Sequence, residues 1–213
     1  QDLVYILTLE SAAEMERAFG IPSIADHYTQ IVSAIRGTIR EKYWDATRGL
    51  FADTYDHRSF SQHVNSLAIL AGIVTGEEAT RVMERTLNDS SLIQATIYFR
   101  YYVHQALKVA GMGDHLLDNL QIWRDQMALG LTTWAEMPEP TRSDCHAWGA
   151  SPNIEFFRIL LGIDSNAPGF KSIRIAPSLG DLKEVSGTMP HPVGSVTASY
   201  KLDKKGKLTA RLI

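Results

Sequence analysis

The sequence predicts a mainly α-helical protein that gives way to a small antiparallel β module near its C-terminus. Three observations carry this. Apolar residues recur at three- and four-residue spacing through the first two thirds of the chain, and the connections between those stretches are short and marked by glycine (Gly76, Gly111, Gly113, Gly130). After Gly162 the chain breaks into brief alternating runs punctuated by Pro and Gly. With 213 residues, 45% hydrophobic and 21% charged, the composition is that of a globular protein with a real core.

Leu3, Leu7, Ala12, Met15 and Phe19 are read as the apolar stripe of a first helix, which Gly20-Ile21-Pro22 stops and after which Ser23 can cap the next. From Ile24 to Tyr43 the residues Tyr28, Ile31, Val32, Ile35, Ile39 and Tyr43 share one helical face, weakened a little by Gly37. Asp45–Asp53 reads as a turn or short hairpin. Helix signals resume at Ser61–Val74, Glu77–Leu87, Ala95–Ala110 and His115–Ala128, with a last one near Cys145–Leu161, seven helices in all. The Ala95–Ala110 stretch is apolar or aromatic nearly all round, which predicts that other helices enclose it. Strands are predicted at Ser172–Ile175, Leu182–Ser186, Ser195–Leu202 and Lys207–Leu212, with Asp203-Lys-Lys-Gly206 as a hairpin turn. The chain opens within a helical pattern at Gln1-Asp2-Leu3 and stops at Ile213 in mid-pattern, so it reads as a piece of something longer.

Several function classes are set aside by composition. A net charge of −3 with scattered Lys and Arg predicts no nucleic-acid groove, and Lys201, Lys204, Lys205 and Lys207 read as a solvated hairpin tip. No apolar run reaches about 18 residues, so no membrane span is predicted. Cys145 stands alone, which forbids an internal disulfide and zinc sites built on paired cysteines. The one carboxylate beside it, Asp144, disfavours a thiolate, against a nucleophile. The histidines show neither HxxxH nor HExxH spacing, so no metal is predicted, and no cofactor motif is present. Nothing in the N-terminal residues fixes a compartment.

Residues 131–152 hold the chemistry: Leu131-Thr-Thr-Trp-Ala-Glu136-Met-Pro-Glu139-Pro-Thr-Arg142-Ser-Asp144-Cys-His146-Ala-Trp148-Gly-Ala-Ser-Pro152. Prolines forbid a continuous helix here. Carboxylates suited to proton transfer, tryptophan faces suited to pyranose stacking, and Arg, Asp and His suited to hydroxyls point to a sugar-binding cleft. By residue type alone, alternatives stay open. Glu136 could be a solvated loop residue, with Glu139 second choice for a base. Ser143 or Asp144 could be an N-cap, and Arg142 could pair with Glu139 or Asp144. His146 could be structural. Trp44 and Trp123 lie in apolar helical patterns and read as core.

Ser61-Gln62-His63-Val64-Asn65, Tyr98-Phe99, Thr132-Thr-Trp-Ala-Glu136 and Thr141-Arg-Ser-Asp-Cys-His-Ala-Trp-Gly-Ala-Ser-Pro152 resemble bacterial α-L-rhamnosidases of glycoside hydrolase family 78. Pro168-Gly169-Phe170 through Pro177 resembles the start of that family's C-terminal β-domain. The resemblance implies a partial (α/α)6 barrel over 1–162, its second half, followed by an antiparallel β-sandwich-like domain over 163–213. It further implies an inverting cleavage of terminal α-L-rhamnose by two carboxyls roughly 6.5–9.5 Å apart. Glu136 takes the position of the family's general base, with Trp134, Trp148, Arg142, Asp144, His146, His63 and Asn65 binding substrate.

The family's general acid comes from an earlier acidic segment that these residues do not contain, so the chain is expected to be inactive alone. The implied partners are a rhamnose-containing oligosaccharide or glycoside and the remainder of the parent enzyme. A homo-oligomer formed through uncovered helix faces is a further expectation. Two other readings remain: a carbohydrate-binding or assembly module without chemistry, and an (α/α)6 glycosidase for another sugar.

Overall fold

The computed structural model describes residues 1–213. It is mainly helical with a C-terminal antiparallel module, and it divides into two compact units. The first comprises Gln1–Ala95 and Gln105–Gly111; the second comprises Thr96–His104 and Met112–Ile213.

In the first unit, α1 (Asp2–Phe19) and α2 (Pro22–Tyr43) pack together as a hairpin across Gly20-Ile21. Glu16 closes the turn, its Oε2 accepting from the Ile21 amide at 2.8 Å. Pro22 occupies the first turn of α2, where its missing N–H costs nothing, so Ser23 lies inside the helix instead of capping it. The α2 stripe is as predicted in phase, with Ala25, Val32 and Ile39 fully covered and Tyr28, Ile31, Ile35 and Tyr43 half-buried. The α1 stripe is not. Leu3, Ile6, Leu9 and Ala13 are buried, whereas Met15 is exposed and Phe19 is 91% exposed. At 3.6 residues per turn, Met15 and Phe19 fall on the side opposite Ile6 and Leu9, and α2 and α3 cover only the latter.

The two-residue strands β1 (Trp44–Asp45) and β2 (Leu50–Phe51) close the expected short hairpin. Trp44 is therefore no helical core residue; it is half-buried, edge-on to Phe51 and beneath the Arg40 guanidinium. Ser61 caps α3 (Gln62–Leu70), accepting from the Val64 amide at 3.2 Å. Helix α4 (Gly76–Asn88) packs on α3, and buried Gln62 ties the Thr86 carbonyl to the Ala95 amide.

Helix α5 (Ile97–Val109) supplies residues to both units. Its enclosure is incomplete, since Tyr98 and Val109 near its two ends are exposed while Ile97, Val103, Ala106 and Leu107 are buried. In the second unit, two 3₁₀ turns precede α6 (Gln121–Ala128), and an irregular stretch leads to α7 (Ser151–Glu155). A π turn over Phe156–Leu160 follows, with the Leu161 amide reaching the Phe156 carbonyl at 2.9 Å.

The change from helix to strand falls at Gly162. Strand β3 (Ile163–Ser165), too short to show as alternation, pairs with β4 (Ile173–Ile175). The meander β5 (Glu184–His191), β6 (Gly194–Leu202) and β7 (Leu208–Leu212) follows, with β6 central. Strand β5 runs past Ser186, where the sequence predicts an end. Pro190 is tolerated because β5 is an edge strand, and a Cβ at Gly187 would lie 2.5 Å from Leu161 Cδ1, so a larger residue there would have to displace that side chain. Leu161, Ile163, Ala198 and Tyr200 form the core of this region, and the Tyr200 hydroxyl donates to the Leu161 carbonyl at 3.0 Å.

Gly162 joins helix to sheet with φ +69°, and a Cβ there would lie 2.1 Å from the Ala176 carbonyl carbon. Gly162→Ala is expected to destabilise the chain by about 2 kcal/mol or more, read as a lower denaturant midpoint; an unchanged midpoint would contradict this. A second expectation concerns His104, fully buried beside Trp123. Burial lowers its pKa to about 4, the Arg100 charge adds to this, and the Asn119 backbone opposes it. The unfolded imidazole, near 6.5, binds its proton first. Stability should therefore fall as pH drops from about 6.5 to 4, by roughly 3 kcal/mol, and His104→Gln should flatten that part of the profile.

Candidate functional site

The segment 131–146 has almost no regular structure, so side chains must hold it. Gln126 and Trp123 of α6, both buried, do this from one helix face. Gln126 Oε1 accepts from the Ala135 amide at 3.0 Å, and Trp123 Nε1 donates to the Gly149 carbonyl at 2.7 Å. Within the segment, the Glu136 amide donates to the Ser143 carbonyl at 2.9 Å and the His146 amide to the Trp134 carbonyl at 2.7 Å. Gly149 is forced, because a Cβ there would meet Trp134 Cβ at 2.6 Å.

These bonds fix Glu136, which is only 6% exposed. Arg142 engages its carboxylate side-on. Nε donates to Oε2 at 3.0 Å, and Nη2 donates to Oε1. Arg142 itself is 77% exposed at the side chain, so the carboxylate is capped at a shallow depth and not sunk in the core. The hydrogen bonds from Arg142 hold the Glu136 pKa below its ordinary value, partial burial acts the other way, and the charges of Arg142 and His146 add to the lowering. An ionised carboxylate at neutral pH results. The guanidinium uses one acceptor position on each oxygen, which leaves further lone pairs for a water molecule.

Trp148 closes the group. Its Nε1 donates to the Glu136 carbonyl at 3.3 Å, and its ring lies 4.2 Å from that of His146, tilted by 47°. Trp148 remains 41% exposed, a usable apolar face beside a carboxylate. The Nδ1 of His146 is buried and without a hydrogen-bond partner.

Residues 162–212 match the family described as the bacterial alpha-L-rhamnosidase C-terminal domain. A GH78 family rhamnosidase of Bacillus sp. GL1 superposes with a TM-score of 0.85 at 25% identity, covering 97% of this chain and 24% of that one. The chain is built like a part of a family 78 α-L-rhamnosidase. The alpha-L-rhamnosidase from Dictyoglumus thermophilum gives a TM-score of 0.77 at 18% identity over 93% of this chain and 24% of its own. A rhamnosidase from Klebsiella oxytoca, solved with rhamnose bound, gives 0.66 at 22% identity over 74% of this chain and 33% of its own. The chain thus spans about a quarter to a third of the length of these structures. No curated protein matches it.

Among the residues that the rhamnosidase resemblance points to, Glu136, Arg142, His146 and Trp148 come together. Trp134, half-buried, packs on the cluster of Ile97, Leu120 and Trp123. Asp144 is exposed, and its carbonyl accepts from Thr133 Oγ1. Asn65 belongs to the first unit and is a brace: fully buried, it bonds both backbone groups of Phe51 and the Ser61 carbonyl. His63, on the first turn of α3 in that unit, is half-buried. Arg142 pairs with Glu136 and not with Glu139 or Asp144. Neither Ser143 nor Asp144 caps a helix, since Ser143 Oγ is engaged with the Cys145 backbone and the next helical turn starts at Ala147.

Reading by residue type missed Gln126, a polar residue three positions from Trp123 on one helix. That spacing was the available signal. Arg142→Ala should raise the Glu136 pKa, observed by NMR titration of its side-chain carboxyl carbon, with Arg142→Lys falling between. A titration midpoint insensitive to either change would remove Arg142 from this role.

Proposed function

We propose that the chain supplies the water-activating half of a rhamnosidase active site, acting on a glycoside with a terminal α-L-rhamnose. On this reading residues 1–162 form the second half of an (α/α)6 barrel and 163–213 begin the β-domain that follows. The observation that carries the proposal is a near-buried carboxylate kept ionised by Arg142 beside His146 and the open face of Trp148. A general base needs that protonation state and an unused lone pair aimed at water. His146 and Trp148 would meet the hydroxyls and one face of the sugar.

The reaction is an inverting hydrolysis. Glu136 takes a proton from water as its oxygen attacks the anomeric carbon, and a second carboxyl protonates the departing oxygen. That acid is to come from the remainder of a parent enzyme, of which the chain spans a part. Apolar side chains exposed on α1, Tyr5 and Phe19 among them, would pack on that remainder or on a second copy.

In the parent, Glu136→Gln should lower kcat against an aryl α-L-rhamnoside by about 10²–10⁴-fold, while the 213-residue chain alone turns over none. Retained kcat in Glu136→Gln, with unchanged rhamnose binding, would favour the second reading, a saccharide-binding module without chemistry.

A further inference from the structure

A cavity of about 130 Å³ lies between α6 and the irregular segment that follows it. Ile122, Gln126 and Leu129 of α6 line it together with Leu131, Ala135 and Met137, all in the second unit. Ala135 and Met137 are the sequence neighbours of Glu136, yet neither Glu136 nor Arg142, His146 or Trp148 contributes to the lining. The cavity is thus separate from the candidate site.

Its lining side chains are apolar except for three. Gln126 is the innermost of these, 5% exposed. Its Oε1 holds the Ala135 amide at 3.0 Å, whereas its Nε2, shielded from water, has no hydrogen-bond partner within the protein. A buried donor left unpaired is costly and calls for an acceptor. Asp125 and Glu139 are exposed, and each has a partner of its own. Asp125 accepts from the Gln121 carboxamide at 2.7 Å and Glu139 from the Thr141 amide at 3.3 Å. Two carboxylates at the mouth of an apolar cavity repel an anion.

We propose that this cavity binds a small uncharged molecule with an apolar body of one six-membered ring and a single strong acceptor, an aryl amide or aryl carbonyl in chemical class. An apolar cavity of roughly 150 Å³ holds a benzene ring, whereas a helix about 10 Å across is far too large. A small turn of the Gln126 carboxamide gives the acceptor its Nε2 hydrogen, and the rim carboxylates exclude the corresponding acid. Binding reaches Glu136 through the backbone. Gln126 held at both ends of its carboxamide grips Ala135 more firmly, which steadies the segment that carries the base. The inference stands whether or not Glu136 activates water.

The test is an NMR titration of the 213-residue chain with benzamide, benzoate and toluene. Benzamide should bind saturably, shift the Gln126 side-chain NH2 signals and slow hydrogen exchange at the Ala135 and Glu136 amides. Benzoate, equal in shape but charged, should bind about tenfold more weakly, and Asp125→Asn with Glu139→Gln should narrow that gap. Gln126→Leu should cut benzamide affinity about tenfold and leave that of toluene unchanged. Because Gln126→Leu also gives up the bond to Ala135, Leu129→Trp serves as a second variant. It fills the cavity from its exposed side, keeps Gln126, and should abolish the binding of benzamide and toluene alike. Gln126 NH2 signals that ignore benzamide, or benzamide binding that survives Leu129→Trp, would overturn the proposal. Loss of activity on Glu136→Gln in the parent bears on the reading of Glu136 alone, so the two can fail separately.

Discussion

The site depends on two buried polar groups of α6, the Trp123 indole and the Gln126 carboxamide. The segment between Leu131 and His146 has no helix or sheet to satisfy its backbone, so its peptide groups need other partners. Gln126 takes the Ala135 amide and Trp123 takes the Gly149 carbonyl, gripping the segment at both ends. Cross-bonds Glu136 to Ser143 and His146 to Trp134 then fold it back on itself. What would otherwise be a mobile loop becomes a scaffold on which one carboxylate keeps a single orientation. Catalytic groups need support of this kind, because small displacements of a reacting group are costly.

Electrostatics follow from that placement. A carboxylate almost out of contact with water would tend toward its neutral form. Arg142 reverses the tendency with two charge-assisted hydrogen bonds, while the guanidinium stays largely in solvent. A single residue thereby sets both the charge and the direction of Glu136. The lowered pKa makes Glu136 a weaker proton acceptor in exchange for full ionisation, which is the protonation state that the proposed role requires.

Much of the fold was legible in the sequence because helices announce themselves by period. The α2 stripe, the β1–β2 hairpin and the change of character at Gly162 were all readable. The α1 stripe was misread for a physical reason: its apolar residues occupy more than one face, and only packing by α2 and α3 decides which face is inside. Strand β5 runs through Gly187 and Pro190 because its edge position excuses proline and glycine leaves room for the approach of Leu161, and neither fact is local to the strand.

Legibility in the site followed the same division. The clustering of Glu136, Arg142, His146 and Trp148 was visible in composition, whereas the pairing of Arg142 with Glu136 depends on how the irregular segment folds back. Asn65 has a residue type suited to sugar contact, yet it spends its side chain inside the protein, and Trp134 turns part of its ring to the cluster around Trp123. Native-state hydrogen exchange at the Ala135, Glu136 and His146 amides tests the central claim most directly. The account requires protection approaching that of α6 in the unsubstituted chain, with Gln126→Ala releasing Ala135 and Glu136. Exchange of these amides at the rate of an unstructured loop, whether or not Gln126 is present, would contradict it.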